Sequence, residues 1–110
     1  SYITSVGGSA ITKLINYPNP FDSRIQKTRI SYFLNNDYPI TIRIFNQFGK
    51  LAYSREIPKG DNGGGRGYNL IEWDGSDNNG DKLPKGGYIC VVEVFGLDSS
   101  QLSRLIGIIH

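Results

Sequence analysis

Apolar and polar residues alternate along most of this chain, and the period is two rather than the 3.6 of a helix. In the stretch Thr28 to Leu34, Ile30, Tyr32 and Leu34 face one way while Arg29 and Ser31 face the other. Ile40, Ile42 and Ile44 alternate with Thr41, Arg43 and Phe45, a β-branched pattern that suits a pleated, half-buried surface. Lys50 to Ile57 follows with Leu51 and Tyr53 on one face. The short turn Asn46-Gln47-Phe48-Gly49 predicts that these two strands form an antiparallel hairpin. Tyr68 to Trp73 sets Ile71 and Trp73 on one face. Gly87 to Phe95 does the same with Tyr88, Cys90, Val92 and Val94. Ile11 to Tyr17 opens the series and Leu102 to Ile109 closes it. These stretches predict an all-β fold, an immunoglobulin-like antiparallel β-sandwich of about seven strands spanning residues 11–110. Its expected core includes Tyr32, Ile42, Ile44, Ile71, Trp73, Cys90 and Val92. Residues 1–10 are small and polar and read as a linker or a weak edge strand.

Between the strands the chain is punctuated by turn chemistry. The corner that organises the rest runs from Asn69 to Tyr88. A strand ends at Trp73, the Asp-, Asn- and Gly-rich run 74–81 reverses the chain, and a new strand starts near Tyr88. Tyr17-Pro18-Asn19-Pro20-Phe21 reads as a stiff, nearly polyproline-like segment that sits on a sheet edge or crosses between sheets, because each proline pushes its predecessor toward extended backbone and removes a ladder donor. Phe21 is expected to plug the end of the core. Pro58 to Gly67 carries five glycines and reads as a mobile connection. It is not a phosphate cradle, since Arg66 and a strand follow where a P-loop requires Lys, Ser or Thr and a helix.

Composition sharpens this picture mainly by exclusion. The 110 residues make one domain, with 14 glycines, no Met and Ala only at positions 10 and 52, a mix poor in helix formers. The net charge of +2 comes from basic residues spread along the chain, so no basic stripe marks a nucleic-acid surface. No apolar run is long enough to span a membrane as a helix. Cys90 is the only cysteine and sits among Ile89, Val91 and Val92, which marks it as a small buried hydrophobe. A catalytic cysteine needs a histidine partner, and the only histidine is the final residue, His110. There is no Ser-His-Asp arrangement and no His/Cys metal spacing. Glu72 and Glu93 alternate with apolar residues and are expected to be solvated or paired with basic residues across strands. The chain reads as non-enzymatic, with no cofactor.

Two clusters remain. Asp74, Asp77, Asn78, Asn79 and Asp81 offer oxygen ligands suited to Ca²⁺. An EF-hand register built on Gly80 puts Gly75 and Gly86 where its first and twelfth ligands belong. We therefore expect a polar corner whose side chains cap backbone groups, folding without calcium. Tyr38, Phe45, Phe48, Tyr53 and Tyr68 are candidates for a carbohydrate or protein contact, or for covers over the ends of the sandwich.

Five motifs in order carry a resemblance. They are Asn16-Tyr17-Pro18-Asn19-Pro20-Phe21, Thr28-Arg29-Ile30-Ser31-Tyr32, Ile42-Arg43-Ile44-Phe45-Asn46-Gln47-Phe48-Gly49, Trp73-Asp74-Gly75-Ser76-Asp77-Asn78-Asn79-Gly80 and Lys85-Gly86-Gly87-Tyr88. Over residues 14–109 the chain resembles the immunoglobulin-like domain shared by flagellar hook-capping proteins (FlgD-like) and the C-terminal sorting domains of type IX secretion cargo. The resemblance implies a module at the C-terminus of a larger secreted or cell-surface bacterial protein. It implies protein partners, in secretion, attachment or assembly machinery, beside the other domains of the same chain. A carbohydrate-binding accessory domain is the rival reading, resting on Tyr53 and Tyr68. The last strand is the candidate contact, through Arg104, Leu105, Ile106 and Ile108. Leu105, Ile106, Ile108 and Ile109 cannot all face one core under strict alternation. One apolar set must point outward, as a patch beside a strand edge suited to β-augmentation, or be covered by residues 1–10.

Overall fold

The computed structural model describes residues 10–95 and 100–109. Seven strands form in chain order: β1 Ile11–Tyr17, β2 Thr28–Leu34, β3 Ile40–Phe45, β4 Leu51–Ile57, β5 Gly67–Trp73, β6 Gly86–Val94 and β7 Gln101–Ile108. They build two sheets, β1-β2-β5 and β4-β3-β6-β7, and every strand pair is antiparallel. The expected β-sandwich is therefore the observed one. Strand ends differ from the sequence reading by a residue at β4, β5, β6 and β7. The linker expected over residues 1–10 lies outside the described residues except for Ala10, which is buried and whose carbonyl accepts the Asn35 N–H at 3.0 Å. Most of the turn expected over 97–101, and His110, also lie outside the described residues.

Alternation decides which side chains meet between the sheets. Ile30, Tyr32 and Leu34 of β2 and Ile71 and Trp73 of β5 pack against Ile40, Ile42 and Ile44 of β3 and Cys90, Val92 and Val94 of β6. Burying each aliphatic side chain stabilises the fold by about 1.5–3 kcal/mol relative to leaving it in water. Trp73 ties the two layers together. Its ring lies 5.9 Å from Phe21, 6.0 Å from Tyr53 and 6.3 Å from Tyr88, and its indole N–H donates to the Ser76 carbonyl at 3.0 Å. Phe21 is fully buried, as expected of a plug.

Two expectations about connections are corrected. The segment 17–21 crosses between the sheets, one of its two expected placements, from β1 to lie alongside β7, but it is not polyproline-like, since Tyr17–Pro18 and Asn19–Pro20 are both cis. The trans preference of a bond to proline is only about 0.5–1 kcal/mol, so tertiary contacts can reverse it. The glycine loop 58–67 is a packed element rather than a mobile one. The Asn69 side chain accepts the N–H groups of Gly63 and Gly65 and donates to the carbonyls of Gly65 and Gly67. The buried Tyr32 hydroxyl donates to the Gly63 carbonyl at 2.7 Å. Glycine is required at 63 because φ is +106° and an added Cβ would stand 2.6 Å from Ile57 Cδ1.

Candidate partner-contact face

The outer face of the four-stranded sheet is where alternation leaves hydrophobic side chains in water. Register places Leu51 opposite Phe45, Phe45 opposite Ile89, and Ile89 opposite Leu105. Directly opposed residues point to the same face, so these four form one apolar row across β4, β3, β6 and β7. A register shift between Ile44 and Phe45 in the β3–β4 pairing sets Leu51 outward and Tyr53 inward, so Leu51 and Tyr53 do not share a face as the sequence reading expected. Leu51, Ile89 and Leu105 are 49%, 45% and 65% exposed. The next row is mixed, with Arg43 beside Val91, and the Arg43 guanidinium reaches Glu93 at 2.7 Å. This is the cross-strand pairing expected for Glu93. Both partners are part-exposed, so its worth is modest.

On the other side of the apolar row, Gly87 opposes Gly107. Two adjacent positions without side chains leave a groove of about 600 Å³, bordered by Asn19, Pro20, Arg104 and Leu105. The four predicted contact residues divide here. Ile106 and Ile108 are 0% and 3% exposed and belong to the core. Leu105 and Arg104 are exposed, and both line the groove. Arg104 also donates from Nε to Asn16 Oδ1 at 3.2 Å.

The free strand edge expected beside this patch is closed between Leu105 and Ile109. Asn19 Nδ2 donates to the Leu105 carbonyl and Asn19 Oδ1 accepts the Gly107 N–H, both at 2.9 Å. The Phe21 N–H then donates to the Gly107 carbonyl, and the Phe21 carbonyl accepts the Ile109 N–H. The Pro-Asn-Pro-Phe segment thus fills the ladder positions that an added strand would need.

The remaining candidates have structural employment. Asp74 Oδ1 accepts the Ser76 N–H, and Asp77 Oδ1 accepts the N–H groups of Asn79 and Asp81. Burial works to raise the Asp74 carboxyl, but the hydrogen bonds from Ser76 and the charge of Lys82 outweigh it and hold its pKa below the ordinary value. Burial pushes the Cys90 thiol up to about 12, so it stays protonated and unreactive at neutral pH. Tyr53 and Tyr68 do not share a platform. Tyr53 turns inward against Trp73. Tyr68 lies on the outer face of the other sheet, packed on Phe33 at 70° with Lys13 Nζ 5.7 Å from its ring. Of the apolar row, the sequence had singled out Phe45 and Leu105 but not Leu51 or Ile89, which become neighbours only through register.

The layers, strand order and pairing define an immunoglobulin-like antiparallel sandwich of seven strands. Among solved structures, the chain is similar to FlgD from P. aeruginosa, with a TM-score of 0.60 at 16% identity over 86% of this chain and 70% of that one. It is similar to truncated FlgD from Helicobacter pylori, with a TM-score of 0.53 at 27% identity over 94% of this chain and 75% of that one. It is also similar to PorZ, a bacterial surface component of the type IX secretion system of Porphyromonas gingivalis, with a TM-score of 0.56 at 20% identity. That match covers 88% of this chain and only 11% of PorZ. No protein-family model and no curated protein sequence matches the chain. Among the described residues, no helix is long and apolar enough to cross a membrane.

Proposed function

We propose that this chain is a non-catalytic immunoglobulin-like module of a larger secreted or cell-surface protein, serving export, surface attachment or assembly. It does so by docking a protein partner on the outer face of its four-stranded sheet. The observation that carries this reading is the apolar row Leu51, Phe45, Ile89 and Leu105, continuous across four strands, with Phe45 half-buried and the other three exposed. Exposed apolar residues scattered singly are ordinary on any protein, whereas a contiguous row beside a groove marks an interaction surface. The similarity to FlgD and PorZ supports a role in assembly or secretion. Leu105, at the groove, supplies the contact expected of the last strand on this face, while Arg104, opposite the inward-facing Cys90, turns toward Asn16 at the rim. Ile106 and Ile108 support it from beneath by anchoring β7 in the core.

The test is a double substitution, Ile89→Glu with Leu105→Glu, in the full-length parent. Both side chains are already largely exposed, so the fold should survive. Export, attachment or assembly should fall sharply while the far-ultraviolet spectrum and melting temperature stay near wild type. A folded variant that is delivered and assembled like the wild type would sink this reading.

A further inference from the structure

Within an antiparallel edge strand, alternate residues aim both backbone groups away from the sheet, where another strand can take them. In β4 one such residue is Ser54, and both of its groups are taken by a single side chain. The Ser54 N–H donates to Asn78 Oδ1 at 2.9 Å, and Asn78 Nδ2 donates to the Ser54 carbonyl at 2.7 Å. A carboxamide has the donor and acceptor of a peptide group, so Asn78 occupies the position of a residue in an adjoining strand. We propose that Asn78 is an edge plug that keeps β4 closed to strand addition, and that the strand it excludes is β4 of a second copy of this chain.

Three observations favour β4 as the edge at stake. The β7 edge is covered from Leu105 to Ile109 by main chain as well as by Asn19. Among the described residues, the cover on β4 at Ser54 is one side chain from a remote turn. That turn is built to present it: the Asp77 N–H donates to the Asp81 carbonyl at 2.9 Å, the Gly80 N–H donates to the Asp77 carbonyl, and the Asp77 carboxylate holds the next amides. Finally, β4 is self-complementary. Pairing two copies antiparallel about Ser54 sets Tyr53 opposite Arg55 and Ala52 opposite Glu56, so no like charges face each other.

The experiment compares the full chain with Asn78→Ala, Asn78→Asp and, as a control on the same turn, Asn79→Ala. Sedimentation over a concentration series reads association, and amide exchange reads Ser54. The Ser54 N–H should be protected in the wild type and lose protection by roughly fivefold or more in monomeric Asn78→Ala, the effect of one lost hydrogen bond. Asn78→Ala should also self-associate at least about tenfold more tightly than wild type and Asn79→Ala, a difference near 1.4 kcal/mol. Asn78→Asp keeps the acceptor for the Ser54 N–H but sets an oxygen against the Ser54 carbonyl, and should raise association while leaving the Ser54 amide protected. Adding Ser54→Pro removes the N–H that the second strand needs, and should abolish the new association. Three results would overturn the proposal: Asn78 variants that remain as monomeric as wild type, an equally protected Ser54 amide in wild type and Asn78→Ala, or dimers that persist with Ser54→Pro.

Discussion

The two outer faces of this sandwich both expose hydrophobic side chains and arrange them differently. On the three-stranded sheet, the row Ile15, Ser31, Leu70 is split by a serine, and the row Tyr17, Arg29, Glu72 is split by charge. Lys13 lies over the rings of Phe33 and Tyr68, covering part of their apolar surface with its own stem. On the four-stranded sheet the corresponding residues fall into one uninterrupted row. Exposed hydrophobes thus give a passive surface in one case and an adhesive one in the other. Register, rather than composition, separates them.

The largest expected effect removes the support that both faces share. Trp73 belongs to the three-stranded sheet but touches Tyr53 and Tyr88 of the other. Trp73→Ala should destabilise the chain by about 3–5 kcal/mol, because a ring-sized cavity opens between the layers and the Ser76 carbonyl loses its donor. A denaturant titration giving less than about 1 kcal/mol would remove Trp73 as the anchor of either face.

A smaller effect on stability, with a sharp one on binding, separates the faces from each other. Ile15→Glu with Leu70→Glu is the matched control for Ile89→Glu with Leu105→Glu. Each pair lies largely in water, so each should move stability by only about 0.5 kcal/mol per site. Pull-down of partners by the parent protein should be lost for the four-stranded pair alone. Equal losses from both pairs would mean that the contiguous row confers nothing that scattered residues lack.

The smallest effect lies at the corner that carries the edge plug. The folded Asp74 carboxyl titrates below its unfolded value, so the stability it contributes is present above the unfolded pKa and is lost as pH falls through the folded one. Asp74→Asn should therefore narrow the gap in melting temperature between neutral and acid solution. An unchanged gap would show that the hydrogen bonds from Ser76 do not couple to folding.

Much of this molecule can be read along the chain, because a period of two makes each strand declare which of its residues face inward. The strands, the buried set from Tyr32 to Val92, the hairpin at 46–49 and the reversal after Trp73 all follow from local pattern and turn chemistry. The division of the last strand follows only in part. Alternation requires that Leu105 and Ile106 face opposite ways, but not which of them is inside.

Tertiary structure decided what depends on residues distant in sequence. Leu51, Phe45, Ile89 and Leu105 become a row only when four strands lie in one register, and a slip of a single residue would turn the row into the core. The glycine loop looked mobile because nothing nearby in sequence shows that Asn69 and Tyr32 will satisfy its backbone. Asn19 looked like part of a stiff extended segment and Asn78 like a turn residue for the same reason. A carboxamide bonds any peptide group brought within about 3 Å, and only the folded chain brings Gly107 to Asn19 and Ser54 to Asn78.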